Sequence, residues 1–219
     1  GVGVNKVTGE INSTMTLSNV DRANSGTVLL VKGVEQTITV NGIDYTVSTQ
    51  NDRAELVYRL DTSGLITFSR TSGSIIVKGD MNKKHNVTIK EGITFYGGNK
   101  GDNIESIDAT IYCGSGNNTL TLKHGDLVFC GSGNNTIKAD SYCWIYGGSG
   151  VNNITLNGTL NNVEAGSGTT NVTIKGYTNN VYGTSGNNTI VSNTGSNNFI
   201  SGFGDADNAQ SLLLKPSET

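Results

Sequence analysis

Few residues in this chain are equipped for chemistry. Its two histidines are His85 and His124, its three cysteines are Cys113, Cys130 and Cys143, and the carboxylates in suggestive contexts are Asp102, Asp126, Asp205 and Asp207. An imidazole beside a carboxylate and a thiol is the raw material of nucleophilic catalysis, and His124 lies close in sequence to both Asp126 and Cys130. Closeness along a chain does not make a triad, though, because the three groups must converge in space. The cysteines form no CxxC pair, so a zinc site is not expected, and the Gly-Ser-Gly strings lack the following helix that a phosphate-binding loop requires. No catalytic residue is expected. What the aspartates offer is hard oxygen, the ligand type that suits calcium.

What must position those groups is a repeat. The string CGSGNNT stands at 113–119 and again at 130–136, and Ser-Gly recurs at 115, 132, 149, 167 and 185, at intervals of 17, 17, 18 and 18. A fixed short period sustained over five copies predicts a solenoid. Each copy divides into two halves, a polar turn followed by a short strand with an apolar residue at a fixed place. In the first halves that residue is Leu120, Ile137, Ile154, Val172 and Ile190; in the second it is Val128, Ile145, Val163, Val181 and Phe199. Alternation adds Leu122, Ala139, Leu156, Ile174 and Ser192 to the same inward face. The fold class expected is all-β: a right-handed parallel β-solenoid, β-roll-like, with about 18 residues per turn. Cys113 and Cys130, at equivalent places in consecutive copies, are expected on neighbouring rungs as small buried residues, with a disulfide between them as the alternative.

GGSGVNNIT (147–155) and CGSGNNTLT (113–121) resemble the calcium-binding β-roll repeats of secreted bacterial toxins, proteases and adhesins, the RTX repeats, whose pattern is G-G-x-G-x-D-x-U-x. The resemblance covers roughly residues 97–202. It implies calcium held between turns by the aspartate at the sixth place. Here that place carries Asn118, Asn135, Asn152, Thr170 and Asn188 in one half and Asp126, Cys143, Asn161, Asn179 and Asn197 in the other. Asparagine has both a donor and an acceptor, so stacked copies can hydrogen-bond along a column. A structural ladder of Asn118, Asn135, Asn152, Asn188, Asn161, Asn179 and Asn197, with no cofactor, is therefore expected. The alternative is a calcium-loaded module carried by Asp102, Asp126, Asp205 and Asp207.

The N-terminal region reads differently. VEQTITVNGIDYTVST alternates around Asn41-Gly42, a hairpin signal, and AELVYRLDTSGLITF reads as two strands around a Ser-Gly turn. The expected division is a β-rich cap or small domain at 1–64, the solenoid at 65–202 and a C-terminal cap or tail at 203–219, with Leu212 to Leu214 covering the last rung.

Thirty glycines, one proline and 6% aromatics disfavour helix, and a net charge of -3 offers no cationic face to nucleic acid. No run approaches the ~20 apolar residues of a membrane helix, so no membrane insertion is expected. GVGVNKVTGE lacks the regions of a signal peptide, and the abrupt start and stop suggest a piece of a longer protein. The expectation is a non-enzymatic structural or adhesive module of a bacterial surface or secreted protein, extracellular or at the cell surface. Its expected partners are a cell-surface glycan, a protein receptor or neighbouring subunits. Other readings are a variable surface domain of a filament protein such as flagellin, an ice-binding array built on rows such as Thr119 and Thr136, and a carbohydrate-active β-helix. A sugar-stacking strip of Tyr112, Tyr146, Tyr177, Tyr182 and Trp144 is a further alternative.

Overall fold

The structure, a computed structural model, describes residues 13–19, 24–30, 35–40, 42–49, 54–60, 66–70, 74–193, 197–202 and 210–215. Among these residues there is no helix. The chain forms a parallel β-solenoid of about seven turns with about 17 residues per turn, two strands to each turn. One strand of each turn joins a 12-stranded sheet and the other a 10-stranded sheet.

The repeat explains the stacking. Asn86–Ile89 pairs in parallel with Asn103–Ser106, which pairs with Thr119–His124, and so on through Asn135–Ser141, Val151–Leu156, Thr169–Ile174 and Asn188–Asn193. Each strand bonds only to the turn before and the turn after. Inward residues alternate with outward ones, so Leu120, Ile137, Ile154, Val172 and Ile190 stack in one buried column while Val128, Ile145, Val163 and Val181 face them from the other sheet. The last expected member of that second column is different. Phe199 is 53% exposed and pairs with Asn180, whereas Ile200 lies opposite Val181 and packs on the core. The final turn is longer than its predecessors, and a one-residue slip in a strand reverses which side chain faces inward.

Parallel stacking reaches back to Ile66–Arg70 and Ile75–Gly79, which pair with Asn86–Ile89 and Ile93–Tyr96. Before them antiparallel pairs enter, although Ser13–Asn19 runs parallel to Ala54–Leu60. Gln36–Val40 and Ile43–Thr49 form the expected hairpin, with Gly42 at φ +75° in its turn, and Ala54–Leu60 runs antiparallel to Ile66–Arg70. At the other end Gln210–Lys215 adds a further parallel strand beside Asn188–Asn193.

One corner of the coil has its own rule. Gly92, Asp108, Gly125, Tyr142, Leu160, Thr178 and Asn197 stand just ahead of successive strands of the 10-stranded sheet, and every one has positive φ. Five of these residues carry a side chain, and they accept a conformation that glycine would adopt without steric cost. The opposite corner is set by close approach instead: a Cβ on Gly133, Gly150, Gly168 or Gly186 would lie within 2.1 Å of the carbonyl oxygen one turn above. That contact explains why a glycine follows the serine in every copy.

Candidate functional site

The polar residues buried inside the coil form two ladders, and these are where most of the expected site residues lie. In the first, His85, Asp102, Asn118, Asn135, Asn152, Thr170 and Asn188 occupy equivalent places on seven successive turns, all within 2% of full burial. Asn118 Nδ2 donates to Asn135 Oδ1 at 2.8 Å, and Asn135 Nδ2 donates to Asn152 Oδ1 at 2.9 Å. The same amides also close their own turns: Asn118 Nδ2 reaches the carbonyls of Gly116 and Cys113, and Asn135 Nδ2 those of Gly133 and Cys130. A carboxylate at either place would set oxygen against oxygen, because it has no hydrogen to donate.

Asp102 is the informative exception. It heads the asparagines where donors converge: its Oδ1 accepts the His85 backbone amide and faces His85 Nδ1, each at 2.8 Å, while Gly98 N–H approaches Oδ2. An acceptor-only group suits that place. The His85 ring is wedged among Tyr45, Phe95 and the bare Cα of Gly79, where a Cβ would come within 2.4 Å of the ring. His85 was missed as part of the ladder, although it stands one repeat length before Asp102 in the sequence.

Thr170 interrupts the column. Its hydroxyl donates to Ala165 O, and the buried Asn152 Nδ2 above and Asn188 Oδ1 below have no partner. An asparagine here would carry the amide that both neighbours lack, with the Ala165 and Gly168 carbonyls at the same offsets that Asn118 and Asn135 use. Thr170→Asn is expected to raise stability by about 1–2 kcal/mol, since two buried orphans gain partners. Thermal unfolding reads this directly, and a lowered midpoint would show that the hydroxyl, not the amide, fits the column.

The second ladder runs through Asp126, Cys143, Asn161, Asn179 and Asn198. Asn161 Nδ2 donates to Asn179 Oδ1 at 3.0 Å and to Asp140 O, and Asn179 in turn bonds Asn198 Oδ1 and Gly158 O. Asn197, expected in this ladder, is exposed at the left-handed corner; Asn198 takes the position because the last turn carries an additional residue. Asp126 differs from its column mates. Its Oδ1 accepts the Ala109 amide at 3.0 Å, but Oδ2 and the nearby Ser106 Oγ are both buried and outside hydrogen-bonding geometry. Burial pushes this carboxyl up to about 6, with the Ala109 amide opposing the rise and Asp108 adding to it.

Among the described residues, the aspartates proposed for calcium do not converge. Asp102 is consumed by His85 and backbone amides, Asp126 lies in the other ladder, and Asp205 and Asp207 fall outside the described residues. No group of three His, Cys, Asp or Glu side chains among the described residues could hold a metal. The turn carbonyls that would help to ligate a cation already accept from Asn118 and Asn135. Among the described residues, the calcium that the RTX resemblance implies therefore does not fit the donors present.

The catalytic ingredients suggested by the sequence divide between surface and core: His124 is exposed, whereas Asp126 and Cys130 are buried. His124 Nδ1 faces Asp108 Oδ1 at 2.9 Å on the surface, and Ser141 stands in register with His124 on the next strand. Ser141 Oγ accepts the Thr159 amide at 3.1 Å. All three cysteines are buried free thiols; burial raises Cys113 well above the ordinary range and pushes Cys130 and Cys143 up to about 12. Such thiols are poor nucleophiles. Tyr112 and Tyr146 lie in a face-to-face stack with Tyr96 and Phe129, which covers the ring faces a sugar would use. In the outward rows Asn117 Oδ1 accepts the Asn134 amide and Asn171 Nδ2 donates to Asn153 Oδ1, so these groups bond to one another.

No family model, curated protein or solved structure matches this chain.

Proposed function

We propose that this chain is a non-enzymatic structural module, a self-supporting spacer or adhesive stalk segment of a larger bacterial surface or secreted protein, related in design to the RTX β-roll but independent of calcium. The observation that carries this reading is the donor hydrogen. Where the RTX pattern has a carboxylate to hold a cation, Asn118 and Asn135 use an amide to satisfy the turn carbonyls and the next rung together. Burial of the cysteines supports a module without a thiol nucleophile. The alternating core needs no ligand for closure, because its inner columns are aliphatic.

The test is thermal unfolding followed by far-UV circular dichroism, first in excess EDTA and then in millimolar calcium. Superimposable curves are expected. A large calcium-dependent rise in the midpoint would overturn the reading, because metal that binds only the folded state must stabilise it.

A further inference from the structure

The two outer faces of the coil differ in chemistry. On the 12-stranded sheet the outward rows are mostly Asn and Thr, and Val151 alone among its described residues is an exposed large hydrophobic. The 10-stranded sheet exposes Tyr96, Trp144, Tyr182 and Phe199. At its centre Tyr96, Tyr112, Phe129 and Tyr146 stack on consecutive rungs, with ring centroids 4.6, 4.7 and 5.0 Å apart and planes within 7° of parallel. The rings hold one another in place, so this ridge is ordered before any partner arrives, and little side-chain freedom remains to be lost on docking.

We infer that this face is a self-association surface, on which a second copy of the chain packs through a two-fold axis parallel to the strands, between the rungs of Tyr112 and Phe129. Such an axis maps each outward row onto itself in reverse order. The aromatic row continues from Lys78, opposite Tyr96, to Glu164, opposite Tyr146. Reversal sets Lys78 against the partner's Glu164 at both ends, Tyr96 against the partner's Tyr146, and Tyr112 against the partner's Phe129. The neighbouring row is Thr94, Thr110, Leu127 and Trp144. There reversal brings the half-exposed Trp144 over the partner's Thr94 and Leu127 over the partner's Thr110, large against small in each case.

Lys78 is paired with Glu35 within one copy, but both side chains are about half exposed, and a pair of that kind contributes little in water. Exchanging Glu35 for the partner's Glu164 therefore meets little resistance. Six rungs at about 4.8 Å, with strands roughly 10 Å long, give a patch of about 300 Å² per copy, well below the ~800 Å² of a standard stable interface. The association is accordingly weak and concentration-dependent, and it becomes substantial where many copies are held close together.

Sedimentation velocity of the whole chain across a wide concentration range tests this. A reversible monomer–dimer equilibrium is expected, weakened about tenfold or more by Trp144→Ser, by Lys78→Glu and by Glu164→Lys, each confirmed folded by circular dichroism. The double variant Lys78→Glu/Glu164→Lys restores the contact and should recover association, which a purely structural effect of either single change would not do. A monomer at every concentration overturns the proposal, as does dimerisation indifferent to these substitutions. Binding to cellulose or chitin powder that Trp144→Ser abolishes, in a chain that stays monomeric, would also overturn it and assign the face to a glycan.

Discussion

Replacing Asn135 with aspartate should cost about 3–5 kcal/mol at neutral pH, enough to unfold a module of ordinary stability. In the folded coil Asn135 Nδ2 serves Cys130 O, Gly133 O and Asn152 Oδ1, while Oδ1 accepts from Asn118. The aspartate keeps the bond from Asn118 and sets a buried negative charge against three oxygens. A neutral substitution separates charge from shape: Asn135→Leu leaves the same oxygens unpartnered without a charge and should cost less, about 2–4 kcal/mol. Denaturant unfolding at pH 7 ranks the two. If calcium rescued Asn135→Asp to native stability, the ladder would be a metal site short of one carboxylate, contrary to the proposed function. An unchanged midpoint for Asn135→Leu would mean that the ladder adds nothing to stability.

Asp126→Asn should act in the opposite direction. The Asp126 carboxyl moves from an ordinary 3.8 to about 6 in the fold, chiefly through burial. The folded state therefore holds its proton more tightly than the unfolded chain does. Below about pH 4 both states are protonated and the group is neutral to stability; as pH rises from there through 6 the unfolded state ionises first, and stability falls. Above pH 6 the full penalty is present, about 3 kcal/mol at ~1.4 kcal/mol per pH unit. Asparagine keeps the bond from the Ala109 amide and removes the buried charge. The variant is expected to be more stable than the parent by about 2–3 kcal/mol at pH 7 and to lose the decline between pH 4 and 6. A destabilised variant, or a parent whose stability does not fall across that interval, would contradict this account of the buried carboxyl.

The repeat made the coil legible in sequence, because an interval held at 17 or 18 fixes both pairing and facing, so that Asn118, Asn135 and Asn152 read as one column. Legibility failed where the interval changed. Between Asn179 and its partner the spacing is 19, the doublet Asn197-Asn198 offers two candidates, and counting by nines selects the wrong one, taking Phe199 inward with it. His85 escaped for another reason: an imidazole does not look like an amide, although it completes the same column by donating to Asp102. The left-handed corner was hidden too, since Leu160 and Thr178 are not residues from which positive φ is inferred. The aromatic ridge was half visible. Its tyrosines were noticed, but that their faces cover one another follows only from their being on adjacent rungs.

Because every hydrogen bond between rungs joins a turn to its immediate neighbours, tension applied along the axis is borne in series. Every turn carries the same load, and the end turn, held from one side only, peels while those behind it remain intact. Each release frees about 17 residues, roughly 60 Å of extended chain, before the next turn takes up the load. A protein tethered through such a coil gains a shock absorber that yields in equal steps and rewinds when the force is removed.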